Sequence, residues 1–119
     1  MHSLSHSLGG LNPRLHHGTL NAVFLPAVID FNAQADSVQA ERRLERMARV
    51  MNLASAAEVA PAIRGLTARL GLPTGLAALG VAPGDFSRIV DGALADHCHG
   101  TNPRTPTRQD YEALLAASL

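Results

Sequence analysis

His17-Gly18-Thr19-Leu20-Asn21-Ala22-Val23-Phe24-Leu25-Pro26-Ala27-Val28-Ile29-Asp30-Phe31 contains the longest apolar stretch of this 119-residue chain, Leu20 to Ile29. Helical spacing over about Gly18 to Phe31 puts Leu20, Val23, Phe24, Val28 and Phe31 on one side and Leu25 and Ile29 on the other. A helix that is apolar nearly all round is a buried one, so other helices must surround it. Pro26 removes one amide donor and crowds the preceding turn, so a kink is expected there. The stretch is too short to span a bilayer and contains Asn21.

Upstream stand four of the six histidines, His2, His6, His16 and His17. His2 and His6 are four apart and share one face of a short helix over His2 to Leu8. Gly9-Gly10 reads as its stop and Asn12-Pro13 as a loop. Imidazole is the commonest ligand for divalent transition metals and the usual proton shuttle near neutral pH. The cluster therefore points to a metal site, a proton relay, or both. A plain polar segment is the competing reading, but the histidines alternate with Leu4, Leu8 and Leu11, an amphipathic pattern.

Downstream, a third helix is expected over Ala35 to Asn52, with Leu44, Met47 and Met51 as its apolar stripe. Its outer face carries Arg42, Arg43, Glu45, Arg46 and Arg49, a solvated face rather than an anion patch. Ser55-x-x-Glu58 reads as a capping box for a fourth helix with Val59, Ile63, Leu66 and Leu70 facing in, ended by Gly71. Pro83-Gly84-Asp85 opens a fifth, bearing Phe86, Ile89, Val90, Ala93 and Leu94. Thr107-x-x-Asp110 starts a last one with Tyr111, Leu114 and Leu115. No strand-like run is present. The fold class is all-α: an irregular bundle of five to six helices in one helical domain, residues 1–119.

Composition narrows the function. Ten arginines and no lysine balance ten carboxylates, which gives no electrostatic case for nucleic acid or a membrane surface. Aromatics are 3%, so the core must be built of Leu, Val, Ile, Met and Ala. Cys98 is the one cysteine, which excludes an intramolecular disulfide and fits a reducing, cytoplasmic setting.

The words around the histidines carry more. His2-x-x-x-His6-x-Leu8-Gly9, then His17-Gly18-x-x-Asn21-Ala22-x-x-Leu25-Pro26, then Phe31-Asn32, resemble the iron-containing (group III) alcohol dehydrogenases, which include the maleylacetate reductases. Gly71-Leu72-Pro73, Leu79-Gly80-Val81 and Asp96-His97-Cys98-x-x-x-Asn102-Pro103-Arg104 match the carboxyl-terminal part of the same family in order. The resemblance implies metal ligation by His2 and His17 and places His6 beside substrate and nicotinamide. One extra residue before the His-Gly pair makes His16 a competitor of His17. The family's Gly-rich cofactor loop and its two upstream ligands, an Asp and a His, are not found here. The chain is thus expected to be the carboxyl-terminal metal-binding portion of such an enzyme, inactive alone. Fe(II) or Zn(II) is implied as its metal, held weakly by two imidazoles, and NAD(P) only in a complete enzyme.

The alternative is a stand-alone helical module for self-association or partner binding, with empty histidines. A homodimer or higher self-association is expected on either reading, because Leu25, Val28 and Ile29 should lack cover. Other groups read as structural. His97-Cys98-His99, if helical, point about 100° apart and cannot all meet one ion. Cys98 reads as packed. Among Asp30, Asp36 and Asp96, nothing in the spacing brings a carboxylate to the histidines.

Overall fold

The computed structural model describes residues 1–119 and is helical throughout, without strands. There are seven α-helices: α1 His2–Leu11, α2 His17–Asn32, α3 Asp36–Ala40, α4 Arg43–Val50, α5 Val59–Arg69, α6 Phe86–Ala95 and α7 Arg108–Ala117. None is long and apolar enough to cross a membrane.

α2 is the central element, as its pattern requires. Leu20, Val23, Phe24, Pro26, Ala27, Val28 and Ile29 are all buried along it, and the helix continues through Pro26. One side joins α1, α6 and α7 in the main core, where Leu4, Phe24, Ile89, Val90 and Leu115 lose all contact with water. The other side meets Ala48, Val59 and Ala60 around Ile29, with Leu25 and Ile63 packed against them. Each large apolar side chain so buried contributes about 1.5–3 kcal/mol.

This corrects part of the expectation that Leu25, Val28 and Ile29 lack cover. Leu25 is half-buried, but Val28 and Ile29 are only 7% and 8% exposed, Val28 within the main core and Ile29 within the small core against α5. The uncovered apolar residues lie elsewhere: Val50 is 88% exposed, and Leu66 and Leu70 are 46% and 65% exposed. On α5, Thr67 is buried in their place and its hydroxyl donates to the Ile63 carbonyl.

Three boundaries differ from the sequence reading. α1 runs through Gly9-Gly10 and stops only at Asn12, whose backbone is extended (φ −140°, ψ 96°). Asn12 precedes Pro13, and the proline ring excludes the helical region from the residue before it. The long third helix is two helices, so the bundle has seven rather than five or six. Arg42 adopts the left-handed conformation (φ 49°, ψ 44°) and breaks it, while Arg43 donates to the Glu41 carboxylate across the break. Ser55 makes no capping bond to the backbone; its hydroxyl faces the Glu58 carboxylate at 3.5 Å, and a 3₁₀ turn over Ala56–Glu58 leads into α5. By contrast Thr107 does cap α7, since its hydroxyl accepts from the Asp110 amide while Asp110 accepts from the Thr107 amide at 2.8 Å.

The pairing of α1 with α6 depends on a close approach. The Ser7 hydroxyl donates to the Ile89 carbonyl at 2.7 Å, directly over Gly92. A methyl group at Gly92 would collide with that hydroxyl and lie 3.0 Å from Ser7 Cβ. Gly65, inside α5, has open space except for the flexible Arg69 guanidinium at 3.6 Å. Replacing either glycine removes a helix-propensity penalty of about 1 kcal/mol. At Gly92 overpacking of about 1–3 kcal/mol opposes that gain. Urea unfolding should therefore find Gly65→Ala more stable than the parent and Gly92→Ala less stable by about 1 kcal/mol. A stabilised Gly92→Ala would show that α1 and α6 can separate freely.

Candidate metal and proton-transfer site

α1 and α2 bring three of the four amino-terminal histidines together. The ring centres of His2 and His6 are 5.7 Å apart, those of His2 and His17 5.3 Å, and those of His6 and His17 5.1 Å. His6 and His17 lie nearly parallel, at 18°. His16, the competitor of His17, caps α2 in an extended conformation and its ring packs against the backbone of Gly18. Its imidazole is not among the ring pairs of the cluster.

Two of the three rings, His17 and His6, are held by hydrogen bonds to neighbours. The Ser5 hydroxyl, buried between the helices, donates to Asn21 Oδ1 at 2.7 Å. That leaves Asn21 Nδ2 as the donor to His17 Nε2, 2.8 Å away. His17 Nε2 is then the bare, accepting nitrogen, the form a metal ligand needs. His6 Nδ1 lies 3.0 Å from Asp96 Oδ2. Asp96 Oδ1 accepts from the Cys98 amide at 2.8 Å. Desolvation pulls the Asp96 carboxyl upward, but the Cys98 amide, the His6 hydrogen bond and the neighbouring His6 and His97 outweigh it, so it stays below its ordinary value. An ionised carboxylate only accepts, so His6 must donate from Nδ1 and present Nε2 free.

Asp96 is the site residue that sequence reasoning missed. Nothing in the spacing placed this candidate carboxylate by the histidines, yet its side chain is only 12% exposed and pairs with His6 across 90 positions. The Asp96-His97-Cys98 motif was the available signal, but a motif does not say which helix it meets. The reading of His97-Cys98-His99 also needs correction. α6 ends at Ala95 and Asp96 is extended (φ −73°, ψ 140°), so helical divergence does not apply. His97 and Cys98 turn toward Asp96 and His6, whereas His99 Nδ1 pairs with the Tyr111 hydroxyl at 3.0 Å. Cys98 is half-buried, and desolvation first and then Asp96 push its thiol up.

A cleft of about 300 Å³ opens beside His2, lined among others by Leu25, Val28, Asn32, Cys98, Asn102 and Tyr111. The Asn32 and Asn102 amides brace its far wall through mutual hydrogen bonds at 3.1 and 2.6 Å.

The donor chemistry fits a divalent ion at His2 and His17. Two imidazoles that share a tetrahedral ion through nitrogens at about 2.0–2.1 Å hold their ring centres roughly 5 Å apart, close to the spacing found. The His2 imidazole is pushed below its ordinary value by desolvation and by His17, His6 and the amino terminus. Its neutral form, the ligating one, is thereby favoured. The sign for stability follows: with its proton affinity lowered by folding, His2 weakens the fold as pH falls from about 6.5 toward its lowered value. Proton NMR should find the His2 ring titrating below 6.5. A midpoint at or above that value would show that the ring is not desolvated beside its neighbours as this geometry requires.

The comparisons with known proteins concern the whole chain. The Fe-containing alcohol dehydrogenase family, C-terminal, matches over residues 1–119. A 4-hydroxybutyrate dehydrogenase from Cupriavidus necator is 49% identical across 100% of this chain, which covers 32% of that protein. An NAD-dependent methanol dehydrogenase from Bacillus methanolicus is 32% identical, again across 100% of this chain and 32% of its own length. The structure of an alcohol dehydrogenase from Oenococcus oeni superposes with a TM-score of 0.87 at 28% identity, over 99% of this chain and 32% of that one. The chain thus spans about a third of the length of the relatives it matches.

Proposed function

This chain belongs to the Fe-containing alcohol dehydrogenase family, as its C-terminal part, and from that premise we propose that it supplies the metal-binding half of an NAD(P)-linked dehydrogenase acting on a small primary alcohol. The likeness to a 4-hydroxybutyrate dehydrogenase makes an ω-hydroxy acid the first substrate to try. What supports the reading is the meeting of His2, His6 and His17 at ring distances of 5.1–5.7 Å beside a cleft of substrate size.

His2 and His17 would hold iron(II) or zinc(II), with further ligands from elsewhere in the longer protein. Bound there, the cation supplies Lewis-acid stabilisation of negative charge developing on the alcohol oxygen. His17 exchanges its Asn21 partner for the ion, and Ser5 keeps Asn21 close by. His6 takes the hydroxyl proton on Nε2, because Asp96 occupies Nδ1 and stabilises the charge that the ring then gains. A nicotinamide, presented by a dinucleotide-binding domain of the longer protein, would supply the hydride acceptor. The cleft wall formed by Leu25 and Val28 keeps water from the reacting carbon.

The 119-residue chain has no phosphate-cradling loop. Mixed alone with NAD and 4-hydroxybutyrate it should neither bind the nucleotide by calorimetry nor turn over, and turnover by the pure chain would overturn the division of labour. Within the longer protein, His6→Ala should lower kcat by about 10²–10⁴-fold with metal content unchanged. His17→Ala should deplete the metal itself. Undiminished metal in His17→Ala would remove the ligand assignment.

The second reading is self-association, with the chain acting as an oligomerisation module. Exposed apolar residues at α4, Val50 with Met47 and Met51 38–40% exposed, and on α5, Leu66 and Leu70, favour it over the covered face of α2. A stable contact usually buries about 800 Å² per partner. Light scattering at high micromolar concentration should find a dimer that Val50→Glu dissociates, and a clean monomer of the parent chain would dispose of this reading.

A further inference from the structure

The best-assembled donor set in the chain is not the His2/His17 pair. His6, Asp96, His97 and Cys98 each offer one ligand atom, and these atoms all lie within 4.8 Å of one another. They reach that spot from two elements. His6 comes from α1, and the other three come from the turn that leaves α6. The Cys98 amide on Asp96 Oδ1 curls this turn, at 2.8 Å, so that successive side chains face one point. His97 Nδ1 stands 3.8 Å from the same carboxylate oxygen that His6 contacts at 3.0 Å. The His6 and His97 rings stack at 5.7 Å and 22°.

We infer that His6, Asp96, His97 and Cys98 form a second cation site, adjacent to the His2/His17 pair and separate from it, which takes a borderline transition-metal ion, zinc above all. One thiolate, two imidazoles and one carboxylate are ligands of the kind tetrahedral zinc uses. Zinc bonds of about 2.3 Å to sulfur and 2.0–2.1 Å to nitrogen put ligand atoms roughly 3.3–3.8 Å apart. The set must therefore tighten by roughly 1 Å. His97 can supply that movement, for its side chain is 83% exposed and only the Asp96 carboxylate and a loose stack on the His6 ring detain it. Magnesium and calcium are excluded by the donor types, since they ask for oxygen. Binding releases the Cys98 thiol proton to solvent and moves the His6 proton from Nδ1 to Nε2, or ligation uses Nε2 directly. In either case His6 Nε2, protonated or bound to the ion, can no longer take a proton. Occupation of this site silences the proton-transfer pair, which makes excess zinc an inhibitor of the longer protein.

Cobalt(II) reports the site, because only ligation by Cys98 gives a thiolate-to-cobalt charge-transfer band in the near ultraviolet. Titrating cobalt(II) into the 119-residue chain should raise that band at one equivalent, and zinc should displace it. Cys98→Ser should abolish it, and His97→Ala, at an exposed position that the fold does not need, should weaken cobalt binding at least tenfold. His17→Ala should leave band and affinity unchanged, which separates this site from the family-type one. Absence of the band from the parent chain overturns the inference. So does a band that survives His97→Ala at full affinity, or one that disappears with His17→Ala. Asp96→Asn, checked for folding by circular dichroism, gives a second reading of the same affinity.

Discussion

The contact between Ser7 and Gly92 sets how near α1 lies to α6, and the functional geometry depends on that distance. A helix pair normally stands 8–10 Å apart, according to the side chains between them. Here a glycine on one side and a serine hydroxyl hydrogen-bonded to the Ile89 carbonyl on the other bring the backbones close. Position 6 is thereby held within 3.0 Å of the carboxylate that follows α6. The other face of α1 presents Leu4 and Leu8 to the main core. One short helix is thus pinned on two sides, and its histidines inherit the rigidity.

α2 plays the complementary part. Because it is apolar nearly all round, it cannot lie at the surface, and the surrounding helices are arranged to cover it. Its first turn reaches water and bears His17, and Asp30 is exposed at its other end. The polar chain from Ser5 through Asn21 to His17 crosses between α1 and α2 at the point where both helices stop being apolar. The two helices are joined there by directional bonds, which specify the ring positions better than hydrophobic packing would.

Much of this was legible in the sequence. The all-helical class followed from the buried pattern of Leu20 to Ile29, and the meeting of His2, His6 and His17 followed from spacing and family resemblance. The features that escaped share a physical cause: each depends on something outside the local window. Arg42 enters the left-handed region without a glycine to announce it, held by the Glu41–Arg43 pair across the break. Gly9-Gly10 stayed helical because α1 packs on α6, and the pre-proline restriction on Asn12 acted instead. Leu66 and Leu70 kept a helical period yet have no partner facing them. Asp96 could not be paired with His6 from spacing, because a hydrogen bond across 90 residues leaves no periodic trace.

That separation also governs the order of assembly. The bonds that complete the site join residues 90, 82 and 70 positions apart: His6 with Asp96, Ser7 with Ile89, and Asn32 with Asn102. Helices form locally and fast, whereas closing such long loops costs entropy before any contact repays it. The turn that follows α6 is therefore expected to dock after α1 and α2 have met. Until then the histidines exist without their carboxylate, and a passing ion finds only the imidazoles of neighbouring turns. The mature coordination environment belongs to the finished tertiary structure, and chain closure is the event that creates it.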